Sequence, residues 1–187
     1  MKPILREWLA EMERSGMMKR ISKEVDPIHE LAGVGKKLEP QYGAFFEHVR
    51  GSVIPVVTGL ITSREAMARS MHMSYEELLQ RFNDALNNPT PCKVLDQSQG
   101  PFAVKENILV GNQVDLGLLP ACLHHEKDSA RYLTAALCIV KDPETGIRNV
   151  CIHRHEIKDR NHLGALLLPR HTNQIFSKAE SAGKPLE

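Results

Sequence analysis

The sequence predicts an α+β protein in which an N-terminal α/β domain, over residues 1–88, precedes an antiparallel β domain over residues 92–187. In the first half, apolar residues recur at helical spacing and in short strand-like runs, whereas strand-like runs dominate the second half. Between the two, NNPTP at residues 87–91 interrupts both patterns with residues typical of a loop. We therefore expect the fold to change character at this segment.

The opening segment is predicted to be an amphipathic helix, followed by a strand and a second helix. Its apolar residues share one helical stripe: Ile4, Leu5, Trp8, Leu9 and Met12. Pro3 suits the first turn of this helix and Gly16 its C-terminal cap. Residues 18–25 alternate like a short strand. Asp26 and Pro27 then resemble an N-cap and a first-turn proline, which predicts a helix through HELAGVGKKL.

Two strands and two further helices complete the predicted N-terminal layer. The runs AFFEHV and VIPVVTGL, separated by a turn-like RGS, are typical of strands in a largely buried sheet. Thr62 with Glu65, and Ser74 with Glu77, have the spacing of a capping box. These two pairs predict helices around residues 63–71 and 75–87.

The second half is predicted to be an antiparallel meander or small barrel. Its strand candidates are CKVLDQ, ILVGNQVDL, YLTAALCIVKD, RNVCIHRHEI and HLGALLL. DPETG at residues 142–146 places proline and glycine in positions compatible with a turn between two of these strands. A final helix is predicted near residues 172–182 and ends at Gly183.

Composition limits the classes of function. The chain is 42% hydrophobic and 25% charged with a net charge of +1, so its overall charge favours neither nucleic acid nor an anionic membrane as a partner. No apolar run is long enough to span a bilayer. The four cysteines form no CxxC motif and no secretory signal precedes them, so we expect reduced, mostly buried thiols in a cytoplasmic protein.

Two short motifs invite a functional interpretation that the sequence does not favour. The glycines of GVG at residues 33–35 lie in a helical pattern, without the spacing of a phosphate-binding loop and without a preceding strand. His124, His125, Glu126 and Asp128 offer metal-ligand chemistry, but neighbours on one loop seldom converge on one ion. We interpret this second motif as a solvated or hydrogen-bonded loop.

Residues 148–157 concentrate unusual chemistry in a strand-like segment. Period-two alternation places Asn149, Cys151, His153 and His155 on one face, and Val150, Ile152, Arg154 and Glu156 on the other. Next to a buried apolar face, the guanidinium of Arg154 requires an anionic partner. That partner is either Glu156 or an acid on a neighbouring strand, or else the carboxylate or phosphate of a ligand.

The segment Pro169-Arg170-His171 ends an apolar strand and begins the last predicted helix. At such a junction, free backbone N–H groups and the helix dipole favour an anion. His171 could therefore share one site with Asn149 and Arg154. Alternatively, His171 only helps to cap its helix.

Taken in order, several segments resemble the UbiD family of prenylated-FMN-dependent decarboxylases. The opening LREWLAEMERSGMMKRISKEVDP and the strand pair FFEHVRGSVIPVVTGL are similar to the family's N-terminal portion. The segments DLGLLPACLHHEKDSARYLTAA, DPETGIRNVCIHRHEI and LGALLLPRHTNQIF resemble those that build its cofactor pocket. The resemblance implies that the β domain is a split-barrel-like flavin-binding domain.

The resemblance also implies roles for individual residues. Asn149 and His171 match metal ligands, for an ion that is usually Mn²⁺ and lies with K⁺ against the cofactor phosphate. Cys151 and Ile152 match positions whose backbone lines the cofactor, and Thr134 matches a threonine near it. Arg170 is expected to contribute to cofactor binding with His171. Arg154 matches the arginine that holds the substrate carboxylate and acts in a catalytic Glu–Arg–Glu network.

The activity that follows from the resemblance is reversible non-oxidative decarboxylation of an aromatic or α,β-unsaturated carboxylic acid. Family members continue into segments that hold a third metal ligand, both catalytic glutamates and a dimerising domain. We therefore expect this chain to be a truncated, inactive portion of an enzyme that is a homo-oligomer at full length. The alternative is a non-catalytic flavin-binding or assembly module.

Overall fold

The computed structural model describes residues 5–100 and 102–187. Pro3 and Ile4, which the sequence places in the first helix, lie outside this range. The N-terminal part contains α1 (Leu5–Arg14), β1 (Met18–Ile21), α2 (Glu30–Leu38), β2 (Gly43–Phe46), β3 (Val56–Thr58), α3 (Arg64–Ser70) and α4 (Tyr75–Asn87). The C-terminal part contains β4 (Tyr132–Leu133), β5 (Leu137–Lys141), β6 (Arg148–Ile152), β7 (His155–Ile157), β8 (Leu163–Ala165) and α5 (His171–Ser181).

The N-terminal part is built on one three-stranded sheet of order β1-β2-β3. Strand β2 pairs in parallel with β1, Met18 opposite Gly43, and antiparallel with β3, Ala44 opposite Thr58. Gly43 is required here, since a Cβ atom would lie 2.8 Å from both the Gly59 carbonyl oxygen and the Met12 side chain. The sheet therefore allows α1 and the chain after β3 to approach it closely.

Two buried apolar clusters surround this sheet. One contains Val25, Leu31, Ala44, Phe46, Val49 and Cys122. The other contains Trp8, Met12, Met18 and Ala66. The indole of Trp8 also donates a hydrogen bond to the carbonyl of Leu60 at 2.8 Å, which satisfies its polar atom in the core. The N-terminal part thus has a core of its own, to which the later chain contributes Cys122.

The second helix begins later than the sequence predicts. Helix α2 starts at Glu30, because the backbone just before it pairs with the later chain instead of entering a helical turn. Leu123 donates its N–H to the Pro27 carbonyl at 3.1 Å and accepts the His29 N–H at 2.9 Å. His29 has φ of 67°, which no helical residue adopts. The interpretation of Asp26 and Pro27 as an N-cap and first-turn proline is therefore wrong.

The capping pairs are confirmed in one case and corrected in the other. Ser74 and Glu77 form the predicted capping box at the start of α4. At α3, however, the cap is Ser63, whose hydroxyl accepts the Ala66 N–H at 3.0 Å, and not Thr62. The GVG segment lies within α2, as expected from its helical pattern.

The C-terminal part contains two small antiparallel sheets, ordered β4-β7-β8 and β5-β6, which do not close on each other. Mixed α and β character is confirmed. CKVLDQ and ILVGNQVDL are not strands, because their residues find no strand partner among the described residues and instead form loops and short 3₁₀ turns. RNVCIHRHEI divides at residues 153–154 into β6 and β7, which belong to different sheets.

The turn and the last helix follow the sequence closely. In DPETG, the Asp142 carboxylate accepts the N–H groups of Glu144 and Thr145, and Gly146 has φ of 72°. Helix α5 ends as predicted, with Gly183 in the left-handed region. No helix in the described part of the chain has the length and apolar character needed to cross a membrane.

Candidate functional site

A cavity of about 300 Å³ lies between strand β6 and the start of helix α5. Its lining consists of residues 149–153, Leu168 and residues 170–172. Of the seven residues singled out from the sequence, five lie on this cavity: Asn149, Cys151, Ile152, Arg170 and His171. Two elements that are separated in the sequence thus bring most of the candidate residues together.

A buried threonine joins the two walls of the cavity. Thr172, in the first turn of α5, is only 5% exposed. Its hydroxyl accepts the side-chain N–H of Asn149 at 3.2 Å and lies 3.1 Å from the sulfur of Cys151. Because the Asn149 amide donates to Thr172, its carbonyl oxygen remains available as a metal ligand. The sequence pattern does not mark Thr172 as a site residue, although Thr172 directly follows His171.

Strand β6 presents its polar face to α5 and its apolar face outwards. Asn149 and Cys151 are half-buried against the helix, whereas Val150 is 59% and Ile152 68% exposed. The expectation that the Val/Ile face is buried is therefore wrong in this structure. The reason is that α5 packs on the opposite face of the β5–β6 hairpin.

The N-terminus of α5 is open toward ligands. Its N-cap residue is Arg170, which has extended backbone and makes no side-chain hydrogen bond to the first turn. His171 is the first residue of the helix, so the alternative that His171 caps it is wrong. The free first-turn N–H groups and the helix dipole create a positive potential beside the cavity. This geometry suits a phosphate group.

His153, which lines the cavity, also has a buried ring nitrogen. Nε2 of His153 is buried and has no hydrogen-bond partner among the residues that the structure describes, and the same is true of Nδ1 of His155. Such an unpaired buried nitrogen is costly, so a ligand that supplied a hydrogen-bonding group would relieve the cost. His153 lines the cavity, but this nitrogen is closed off from solvent, so a ligand reaches it only if the side chain moves.

Arg154 lies outside this cavity, in the break between β6 and β7. Its guanidinium is stacked over the ring of Tyr132 at 4.4 Å. One terminal nitrogen lies 3.5 Å from the Asp128 carboxylate, while Glu156 is paired with Lys158 at 2.8 Å. An intramolecular acid therefore faces Arg154, and this acid is Asp128 and not Glu156. The sequence pattern places Asp128 in a loop and does not predict this contact.

Thr134 lies on a different cavity, of about 370 Å³, with Cys122, Tyr132 and Leu133 among its lining residues. The structure does not bring Thr134 into the cavity of Asn149 and His171. Burial raises the pKa of the Cys122 thiol, so this cysteine is held in its neutral form. Cys122 is buried, as expected, whereas Cys92 is exposed, and all four cysteines are free.

The His124 loop is held by a hydrogen bond between Asp128 and His125. Among residues 5–100 and 102–187, no three histidine, cysteine, aspartate or glutamate residues converge as a metal-binding group. Instead, the Asp128 carboxylate accepts the N–H of His125 at 3.1 Å. The interpretation of this segment as a hydrogen-bonded loop is confirmed.

Two family models together match most of the chain. Residues 9–86 match the 3-octaprenyl-4-hydroxybenzoate carboxy-lyase N-terminal domain, and residues 93–187 match the Rift-related domain of the same carboxy-lyase. The two matches lie on either side of the NNPTP segment.

Similar proteins of known structure or name are decarboxylases or belong to the UbiD class. An evolved dimeric form of the UbiD-class enzyme HmfF from Pelotomaculum thermopropionicum, in complex with prFMN, is 43% identical with a TM-score of 0.92 over 99% of this chain. Vanillic acid decarboxylase from Sedimentibacter hydroxybenzoicus is 28% identical with a TM-score of 0.87 over 100% of this chain. Anhydromevalonate phosphate decarboxylase from Methanothermobacter thermautotrophicus is 30% identical over 89% of this chain.

The chain covers only part of these relatives: 43% of the HmfF chain, 42% of the vanillic acid decarboxylase chain and 37% of the anhydromevalonate phosphate decarboxylase. The matches extend over 99%, 100% and 89% of this chain, respectively. The chain belongs to the UbiD family of carboxy-lyases.

Proposed function

We propose that this chain belongs to an enzyme that decarboxylates an aromatic or α,β-unsaturated carboxylic acid, reversibly and without oxidation, with prenylated FMN. One observation carries the proposal: Asn149, His171 and the open N-terminus of α5 lie on one cavity. Metal-ligand chemistry and phosphate-binding geometry therefore meet at one place. The decarboxylases among the similar proteins, and the prFMN named for HmfF, support the same activity.

The residues of the cavity fit the phosphate end of the cofactor. The first turn of α5 offers N–H groups and Arg170 offers a positive charge, while the backbone of Cys151 and Ile152 forms a wall. When bound, prenylated FMN supplies the electron sink that decarboxylation of such acids requires.

The metal ligands are present in part. The amide oxygen of Asn149 and the imidazole of His171 suit Mn²⁺, which accepts oxygen and nitrogen ligands, and K⁺ is proposed to lie beside the same phosphate. Two protein ligands hold a divalent ion weakly. We therefore propose that a third ligand, the glutamate that the family resemblance implies, completes the site in the active enzyme.

Arg154 is proposed to hold the substrate carboxylate. Its side chain is 62% exposed, so part of the guanidinium is free to form a bidentate pair with a carboxylate. Such a pair would orient the carboxylate before cleavage. Thr134 is proposed to contact the cofactor from the neighbouring cavity.

Further properties are proposed on the same basis. The domain boundary lies between residues 88 and 92, and the β domain completes a split-barrel-like flavin-binding fold. The active enzyme is a homo-oligomer, for which the dimeric form of HmfF is a precedent, and it acts in the cytoplasm. The 187-residue chain alone does not turn over substrate.

The test combines two measurements with prenylated FMN, Mn²⁺ and a panel of aromatic and α,β-unsaturated acids. Release of CO₂ reports catalysis, and titration of flavin absorbance reports binding. We expect the 187-residue chain to bind the cofactor without turnover, and His171→Ala to weaken that binding. His162→Ala, which alters an exposed histidine paired with Asp159, is the matched control. Wild-type cofactor binding by His171→Ala and Asn149→Ala would remove the assignment.

The same panel of acids, tested on a longer protein that contains this chain, distinguishes a decarboxylase from a non-catalytic module. Release of CO₂ from any acid of the panel supports the enzyme. Tight cofactor binding without CO₂ release from any of them supports a non-catalytic flavin-binding or assembly module.

A further inference from the structure

We infer that Tyr132 is a positioning residue for Arg154, presenting the guanidinium to the carboxylate of a ligand. This inference rests on the proposed role of Arg154 in the function above. Tyr132 does not belong to the residues singled out from the sequence. Its ring lies under the guanidinium carbon at 4.4 Å, a distance at which a cation and an aromatic face attract each other.

Tyr132 is a rigid platform because contacts hold it at both ends. Its backbone N–H donates to the Cys122 carbonyl at 3.3 Å, and its strand pairs with β7, Tyr132 opposite Glu156. Its hydroxyl forms a hydrogen bond of 2.7 Å with that of Ser129. The ring therefore has little freedom to turn, and the arginine stacked on it is restricted to one plane.

Asp128 then sets the rotation of the guanidinium within that plane. The carboxylate of Asp128 is itself fixed, since Oδ2 accepts the His125 N–H while Oδ1 lies 3.5 Å from Nη1 of Arg154. With Nη1 facing Asp128, the edge formed by Nε and Nη2 remains for a second carboxylate. Such an edge offers two parallel N–H donors, the geometry that a carboxylate accepts in a bidentate pair.

The position of Tyr132 connects this arrangement with the candidate site. Tyr132 lines the 370 Å³ cavity together with Thr134, while its ring contacts Arg154 on the break between β6 and β7. Arg154 is flanked by His153, which lines the other cavity. Through Tyr132, the stacked pair adjoins the cavity that Thr134 lines.

The test uses the complete 187-residue chain and phenylglyoxal, a reagent that modifies accessible arginine side chains. Peptide mass spectrometry follows the modification rate of Arg154 against that of Arg160, whose side chain has nearly the same exposure, 61% against 62%. Benzoate serves as the carboxylate probe, and its half-protecting concentration is measured. We expect Tyr132→Leu to raise the Arg154 rate and the half-protecting concentration by about threefold to tenfold each.

Two variants separate positioning from general damage to the fold. Tyr132→Phe loses the bond to Ser129 but keeps the ring on its paired strand, so both values should stay within about twofold of wild type. Tyr42→Leu removes the aromatic ring under the Lys19 ammonium group, a second cation–π contact. This variant should leave both values for Arg154 unchanged. The inference is overturned if Tyr132→Leu leaves both values at wild type, or if Tyr132→Phe behaves like Tyr132→Leu.

The same measurements distinguish failure of the proposed function from failure of the inference about Tyr132. If benzoate does not protect Arg154 in the wild-type chain, the proposed carboxylate role is removed. The modification rates without benzoate still decide whether Tyr132 holds Arg154 in place.

Discussion

The core around the N-terminal sheet and the β5–β6 hairpin bury their apolar residues to very different extents. In the N-terminal part, Leu31 and Phe46 are completely buried, and Met12 is 1% exposed. In the C-terminal part, the outward apolar residues of the β5–β6 hairpin are more than half exposed: Leu137, Ile139, Val150 and Ile152. The same hairpin is covered on its other face by α5, through Thr172, Ile175 and Ala179.

This difference shows that the two parts are stabilised in different ways. A buried core around a three-stranded sheet supplies the N-terminal part with apolar stabilisation. A two-stranded hairpin packed on one face only gains less from burial, and polar contacts with α5 are correspondingly more important. The candidate site lies at this second, less buried junction, where groups on β6 and α5 remain accessible to ligands.

The largest effect is expected from a cavity in the N-terminal core. Phe46→Ala should lower the free energy of unfolding by about 3–5 kcal/mol, because a fully buried aromatic ring is replaced by a methyl group. Urea unfolding followed by the fluorescence of Trp8, the single tryptophan, measures this loss.

The matched change on the hairpin should have a small effect. Ile152→Ala removes a side chain that is 68% exposed, and surface changes of this kind usually alter stability by about 0.5 kcal/mol or less. A loss as large as that of Phe46→Ala would show that the outer face of the hairpin is buried in solution, and the contrast between the two parts would disappear.

An intermediate effect is expected where α5 joins β6. Thr172→Val preserves the shape of the side chain but leaves the Asn149 amide without its acceptor. An unsatisfied buried donor costs about 1–3 kcal/mol. Hydrogen exchange of the amides of residues 148–152 should show an opening free energy lower by this amount. Thr172→Ser, which retains the hydroxyl, should have a smaller effect, and equal losses in both variants would assign the stabilisation to the methyl group.

The smallest effect is expected for the acid stability of the contact between α5 and the turn at residues 142–146. Lys178 lies 2.7 Å from the Asp142 carboxylate, and this hydrogen bond is the main cause that lowers the pKa of Asp142 from 3.8 to about 2. Because the pKa is lower in the folded state, the contact stabilises the fold above about pH 4 and is lost as the pH falls toward 2. In Lys178→Gln, the pKa of Asp142 should rise toward 3.8. The free energy of unfolding should then fall less as the pH is lowered toward 2.

An NMR titration of the Asp142 carboxyl group checks this expectation. The N–H groups of Glu144 and Thr145 still bind the carboxylate in Lys178→Gln, so its pKa should stay below 3.8. Lys184→Gln, at an exposed lysine beyond the helix, is the control and should leave the titration unchanged. An Asp142 pKa of 3.8 in the wild-type protein would contradict the contact with Lys178.

The sequence by itself determined the features that depend on neighbours within a few residues. The capping box of Ser74 and Glu77, the turn at residues 142–146 and the end of α5 near Gly183 all rest on local hydrogen bonds and local backbone preferences. The resemblance to the UbiD family could also be identified from the sequence, because it depends on which residues occur in which order and not on their contacts. Five candidate residues lie on one cavity, while the roles assigned to them remain predictions.

Only the tertiary structure decided the features that depend on distant partners. Pairing with Leu123 delays the start of α2, and the division of β6 from β7 between two sheets places Arg154 opposite Asp128 and Tyr132. Period-two alternation identified the two faces of β6, but the position of α5 decided which of them is covered. The physical reason is that strand alternation specifies a pair of faces, whereas burial requires a second element whose position local sequence does not encode.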